Sequence, residues 1–261
     1  MIELKTPTEL DAVAAAGTIV ADVLAAVRAH AAPGVTTGEL DVLAADLIAA
    51  TGARPSFLDY HPDWAPTPYP AVLCTSVNDA VVHGIPGRER LRSGDLLSVD
   101  LAVHLDGWCA DAAFSTVVGR VEPEPEDVAL VEATERALAA GIAAAVPGAK
   151  MGDVAHAIGT VARAAGYGLL ADHGGHGVGR SMHESPSVPN EGRPGRGLTL
   201  RPGLVLALEP MLIVGGRDGY VHGRDGWTIR TADGSRAAHA EHTITISEDG
   251  TRVVTDGRPT S

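Results

Sequence analysis

Four acids and one histidine stand where solubility does not call for them. Asp100 closes the apolar run DLLSVD, Glu209 closes LVLALE, Asp111 lies in the strand-like stretch after Asp106-Gly107, and Glu241 opens the β-branched run HTITI. His176 lies in the glycine-rich DHGGHGVGR. A carboxylate in an apolar run must leave water, which costs several kcal/mol unless a cation or hydrogen bonds compensate it. Any one of these acids could instead meet an arginine. Together, four carboxylates and one imidazole offer oxygen-rich ligation that suits divalent ions such as Mn, Fe, Co or Zn and suits a thiolate-seeking ion poorly. Charge favours two ions: four carboxylates carry −4 and two divalent cations +4, leaving a nearly neutral cluster around a shared water.

The runs that carry Asp100 and Glu209 repeat one another. His83 to Asp100 and His183 to Glu209 each open with His-x-x-Pro and reach Leu-Arg-x-Gly, at Leu91 to Gly94 and Leu200 to Gly203. Each then follows an apolar run and places an acid six residues after the glycine. Either copy alone could be a common turn before a strand. Both together imply two facing copies of one device with a shared central site. The glycine-rich run lacks the Gly-Lys-Ser/Thr of a phosphate cradle. A di-iron helical bundle would need Glu-x-x-His on helices, whereas these acids lie on strand-like runs.

The elements that must position these residues follow from spacing. Apolar positions at helical spacing predict helices over Thr8 to Ala31, with Thr8 as cap, and Thr37 to Ala50, with Thr37 opening the capping box and Gly52 the stop. A mirroring pair is predicted over Glu126 to Val146 and Met151 to Gly166. Leu96 to Val118 reads as a hairpin turning at Asp106-Gly107, which sets Asp100 opposite Ala113 and puts Asp111 on the same face. Strand pieces are predicted within Ala71 to Val82, split by an Asn78-Asp79 turn, and near Leu204 to Val214, Trp227 to Ile229 and Ala240 to Ser247. Pro210 ends or bulges the strand that carries Glu209. The four-proline segment Ser56 to Tyr69 can be neither helix nor central strand, and its aromatics suit a pocket wall or a packed surface loop.

Composition bounds the rest. The chain has 261 residues and a net charge of −13, without the clustered Lys and Arg that nucleic acid would need. Two cysteines, Cys74 and Cys109, allow neither a zinc ribbon nor a disulfide framework. No apolar run is expected to reach the length of a membrane span, and a cytoplasmic protein is expected. The histidines at 30, 61, 104, 156, 173, 222 and 242 read as surface or satisfied side chains.

As they stand, the motifs resemble the type I methionine aminopeptidases of the pita-bread metallopeptidase family. The matching elements are SVNDAVVHGIP from Ser76, the Val99-Asp100 strand with Asp111, HGVGR from His176 with His183, LEPM from Leu208, DGWT from Asp225, and Glu241-His242-Thr243. The resemblance implies an α/β (α+β) fold in which helix pairs pack on a curved, mainly antiparallel sheet. It implies one catalytic domain over residues 1–261, made of pseudo-symmetric halves of about 1–120 and 121–250 with a short polar C-terminal tail of about nine residues.

It also implies roles. Asp100, Asp111, His176, Glu209 and Glu241 would hold two divalent ions such as Co, Mn, Fe or Zn, and a metal-activated hydroxide would attack the first peptide bond. Glu209 would carry the proton to the leaving amine, His183 would hydrogen-bond the carbonyl oxygen, and His83 would contact the scissile nitrogen. Tyr69, Cys74 and Trp227 match side-chain pocket positions, with Tyr60 beside them. Met182 stands where phenylalanine is usual, His239 where glutamine is common, and the stretch from His61 to Pro68 is longer than the usual loop. The implied substrates are peptides and nascent chains that begin with methionine followed by a small residue, met near the ribosome, by a monomer that binds neither nucleic acid nor membrane. Alternatives are an Xaa-Pro-specific relative and a non-catalytic binding module.

Overall fold

A single large sheet carries the site. In order across it, Leu96–Leu105 is followed by Trp108–Val117, Glu241–Ser247, Val205–Leu208, Gly174–Gly177 and Glu184–Pro189, and every pairing is antiparallel. Cys74–Val77 and Arg54–Pro55 pair with the outer side of Leu96–Leu105, and Gly250–Val253 pairs with Glu241–Ser247. The computed structural model describes residues 2–119 and 124–257, so the expected boundary near residue 120 and the last four residues lie outside the described residues.

The two halves meet at the seam between Trp108–Val117 and Glu241–Ser247, where Glu241 pairs with Ala113 and His242 with Ala112. One face of the sheet is apolar. Leu97, Val99, Leu101 and Val103, with Ala110, Ala112 and Phe114 across the hairpin, form one core with helices α1 (Pro7–His30) and α2 (Thr37–Thr51). Leu206, Leu208, Ile244 and Ile246 form a second core with α3 (Pro125–Ala144) and α4 (Met151–Ala164). Strand side chains alternate between faces, so filling this face with helix contacts leaves Asp100 and Asp111 on the other.

The expected helices are present, but two caps move. Pro7 is the first helical residue of α1, where its missing N–H costs nothing, and Thr6 precedes it. The Glu9 carboxylate accepts from the Thr6 backbone N–H and hydroxyl, both at 2.9 Å. In α2 the cap is Thr36, whose hydroxyl accepts from the Glu39 N–H at 3.1 Å while its own N–H donates back to Glu39 at 2.7 Å. The acid that answers a cap sits three residues on, which selects Thr6 and Thr36 over Thr8 and Thr37. Gly52 ends α2 at φ 78°, as expected.

Three further expectations change. α1 is long and apolar enough to cross a membrane by length and composition, contrary to the expected absence of such a run. Alanine and valine fill it, and Val13, Ala16, Val20 and Val27 pack into the core against the sheet. The tail is shorter than nine residues: Gly250–Val253 is a strand, and Val254 and Thr255 are buried, with Val254 over Gly17 of α1. The glycine-rich run holds a strand, Gly174–Gly177, where a Cβ on Gly175 would overlap the Ala207 carbonyl oxygen. Glycine there lets two strands approach closely.

Candidate metal centre

The strand registers set the five candidate ligands in two adjacent rows across the sheet. Asp100 pairs with Ala113, and Ala113 with Glu241. Leu208 pairs with His242 and Met211 with His239, a register that carries Glu209 opposite Glu241 in the same row. In the next row Ala102 pairs with Asp111, and Thr243 pairs with Ala207, which pairs with His176. The Thr243 hydroxyl ties the two strands at the seam, accepting from the Asp111 N–H at 2.9 Å and donating to the Asp111 carbonyl at 2.7 Å. Between the acids stand Ala102, Ala113, Ala207 and Thr243, small side chains that leave open the space the acids face.

Nε2 of His176 lies 3.5 Å from Oε1 of Glu209 and 3.9 Å from Oδ2 of Asp111. Its Nδ1 is 2.9 Å from the Gly177 carbonyl, and because a carbonyl only accepts, Nδ1 carries the proton and Nε2 presents its lone pair. Asp111, His176 and Glu241 each offer an atom within 4.8 Å of the others, and so do Glu209, His239 and Glu241. Two donors each about 2.0–2.2 Å from one ion lie about 3–4 Å apart, which matches these separations.

A cation fits this set on two further grounds. Asp100 Oδ1, Asp111 Oδ1 and Glu241 Oε1 are buried without a hydrogen-bond partner, a costly state for a carboxylate unless something positive meets it. Among the described residues no lysine or arginine pairs with Asp111, Glu209 or Glu241, whose nearest basic neighbours are the histidines at 176 and 239, both held neutral by burial. Burial pushes all four carboxyls up; neighbouring acids add to it at Asp100 and Glu241, and at Asp111 the Glu209 charge adds while a hydrogen bond with Asp100 opposes. Asp111 rises to about 7 and Glu209 to about 8, while Asp100 and Glu241 lie well above the usual range. Burial also holds His176 down at about 3, so its imidazole is neutral. Left to themselves these acids repel one another, and a cation among them would relieve that repulsion.

The rows floor a cavity of about 1460 Å³. Of the expected pocket residues, Tyr69, Cys74, Met182 and Trp227 line it, with Tyr60 beside them and Phe57 and Trp64 added, whereas His239 is buried among the acids and is not part of the lining. Tyr69 is 2 % exposed, with its hydroxyl within 2.9 Å of the Gly84 carbonyl and its ring edge-on to Trp227 at 5.0 Å. The longer loop folds inward: Trp64 meets Trp227 at 4.9 Å and lies over His83 at 6.2 Å, while Pro66 packs on Gly226. The Trp227 indole N–H donates to the Thr67 carbonyl at 3.0 Å. His83 is held down at about 3 by burial. His183 sits at the mouth, its Nδ1 3.0 Å from the Tyr60 hydroxyl and its ring 4.3 Å from that of His176. Lys5, itself buried, pairs with Glu184 at 2.6 Å and fixes the segment that carries His183. His239 is 1 % exposed and lies among the acids, its Nε2 3.6 Å from Oε2 of Glu209 and 3.9 Å from Oε2 of Glu241.

Other histidines are satisfied locally. His104 donates from Nε2 to the Arg180 carbonyl at 3.2 Å and meets the Ser56 hydroxyl at 2.6 Å; His61 donates to the Ala65 carbonyl. His173 and His222 flank Tyr220 at the cavity rim. Of the two readings open for the four-proline loop, the pocket wall is the one its aromatics, Trp64 among them, take up. Sequence reasoning missed Thr243 as the seam tie and Asn190, whose buried amide donates to the Glu209 carbonyl at 3.1 Å. Nothing in the local pattern distinguishes these two.

The sequence profile of metallopeptidase family M24 matches residues 11–248. The chain is 50 % identical over 264 residues to methionine aminopeptidase 1 of Mycobacterium tuberculosis (strain CDC 1551 / Oshkosh), covering 98 % of this chain and 96 % of that protein. It is 40 % identical over 256 residues to methionine aminopeptidase 1 of Bacillus subtilis (strain 168), covering 98 % and 99 %. The crystal structure of methionine aminopeptidase from Rickettsia prowazekii superposes with a TM-score of 0.91 at 37 % identity, over 98 % of this chain and 100 % of that one. A prolidase from Pyrococcus furiosus superposes at 0.77 with 21 % identity, over 99 % of this chain and 66 % of that one, a likeness of fold alone.

Proposed function

The chain belongs to metallopeptidase family M24, and from that premise we propose that it is a metal-dependent aminopeptidase that removes methionine from the N-termini of peptides and new chains. The observation that carries this reading is the meeting of four carboxylates, Asp111 and Glu241 buried and Asp100 and Glu209 half-buried, and a neutral imidazole on the floor of an aromatic-walled cavity.

Asp100, Asp111, His176, Glu209 and Glu241 would hold divalent ions, two by the charge count. Bound there, such ions activate water as a nucleophile near neutral pH and polarise the scissile carbonyl. Glu209, with one oxygen toward His176 and the other toward His239, takes the proton from the attacking water and delivers it to the leaving amine. His183 donates to the carbonyl oxygen as negative charge develops, with the Tyr60 hydroxyl fixing its other nitrogen. His83, buried and neutral, holds the scissile nitrogen. The acid-lined floor receives the substrate's free amino group. A blocked or internal residue lacks that group, so one residue is removed from the end.

Tyr69, Cys74, Trp227 and Met182, with Trp64 and Phe57, supply an apolar slot for an unbranched thioether, and Met182 adds a second polarizable sulfur chain. The second substrate residue is small. The activity implies work in the cytoplasm on chains leaving the ribosome, and a monomer suffices because one chain supplies every site residue. The test is release of methionine from Met-Ala-Ser compared with cleavage of an Xaa-Pro peptide, before and after chelation and metal return. Preference for Xaa-Pro, or activity indifferent to chelation, overturns the reading.

A further inference from the structure

We propose that His239 is a sixth protein ligand of the metal centre, giving its Nε2 to the ion held between Glu209 and Glu241. This rests on the metal-dependent reading above and goes beyond its five ligands.

Three observations carry it. First, Nε2 is buried without a hydrogen-bond partner, in a residue 1 % exposed. At 3.6 Å from Glu209 Oε2 and 3.9 Å from Glu241 Oε2 it is too far to bond to either oxygen and well spaced to share an ion with both. Second, the backbone that carries the ring is held in place: the Ser115 hydroxyl donates to the His239 carbonyl at 2.7 Å and accepts from the His239 backbone N–H at 2.9 Å, and the strand pairs His239 with Met211. His239 lies two residues before Glu241, so the two share a face.

Third, the internal duplication puts it there. The sequence repeat equates Asp100 with Glu209, each six residues past its glycine. Asp100 lies opposite Ala113, and the register of the other half lays Glu209 opposite Glu241, so Ala113 corresponds to Glu241. Two residues back on each strand, Asp111 corresponds to His239. The same superposition runs outward: Ser98 pairs with Ser76 and Ala207 with His176, and seven residues later stand His83 and His183, the two openings of the repeat. His239 therefore occupies in the second half the place that Asp111, a candidate ligand, occupies in the first.

The consequence is a centre with one imidazole at each position, His176 at one and His239 at the other. Added nitrogen shifts preference toward Zn or Co over Mn. The test is a crystal structure of the full chain loaded with two equivalents of zinc, read by anomalous density, together with Co(II) titration of the metal-stripped wild type and H239Q by calorimetry and visible absorption. We expect Nε2 at about 2.0–2.1 Å from one zinc. In H239Q we expect at least one Co(II) affinity about 10- to 100-fold weaker and an altered d–d spectrum. His239→Asn, which shortens the side chain, repeats the measurement if the glutamine variant folds poorly. Two ions bound by the other five ligands, with Nε2 beyond about 3 Å and titrations unchanged, overturn the sixth ligand and leave the aminopeptidase reading standing. No ion at the centre overturns both.

Discussion

Replacing Glu209 by Gln separates chemistry from folding with one isosteric change. The glutamine keeps the backbone carbonyl that accepts from Asn190, and with it the local fold. It loses the carboxylate whose two oxygens lie 3.5 and 3.6 Å from His176 and His239, which removes a ligand charge and the proton carrier together. Loss of a positioned general acid–base alone costs about 10²–10⁴-fold, so kcat at saturating metal should fall by about 10³-fold or more, roughly 4 kcal/mol of barrier. The metal-free protein should respond in the opposite sense. Burial raises the Glu209 carboxyl to about 8, so above that pH the wild type holds a buried, repelled charge that the amide does not. Below the unfolded value of about 4.3 both proteins carry a neutral group there and differ little. Metal-free Glu209→Gln should therefore melt higher than wild type at pH 9 and about equally at pH 4. The assay is methionine release from Met-Ala-Ser across a metal titration, with calorimetric melting of the stripped proteins at both pH values. A kcat within about tenfold of wild type at saturating metal refutes the proton-carrier role, and a lower melting point at pH 9 refutes the electrostatic account.

Metal-free wild type should lose stability as pH rises from about 4 through 8, since Asp111 and Glu209 bind protons more tightly folded than unfolded. Added divalent ion should raise the melting temperature more at pH 8 than at pH 5, and a pH-independent gain counts against the cluster as the binding site. His183→Ala should lower kcat by about 10²–10³-fold with the fold intact, as the loss of one donor to a developing oxyanion does; near-normal turnover removes that role. Trp64→Ala breaks the contacts with Trp227 and His83, aromatic pairs worth about 0.5–1.5 kcal/mol each, and should raise KM for Met-Ala-Ser about 2- to 10-fold with kcat little changed. An unchanged KM would show that the loop does not wall the pocket.

What the sequence determined by itself was local and repeated. The Asp106-Gly107 turn fixed the hairpin register, and with a period of two that alone decided that Asp100 and Asp111 share a face. Helix spans followed from spacing and proline, and the motifs that resemble the family named the candidate ligands and, His239 apart, the pocket positions that the fold gathers around one cavity. The caps were misread by one or two positions because adjacent threonines compete and only the answering glutamate chooses between them. The strand at Gly174–Gly177 left no trace, since glycine has no side chain to show alternation, and its need for glycine exists only once Ala207 lies across it. Tertiary structure decided everything that depends on the seam between the halves. The pairing of Glu241 with Ala113 sets the two rows in register, and with them the meeting of Asp100 and Asp111 with Glu209 and Glu241. A contact between residues more than a hundred positions apart depends on how two surfaces close, and neither surface is written in the residues beside it.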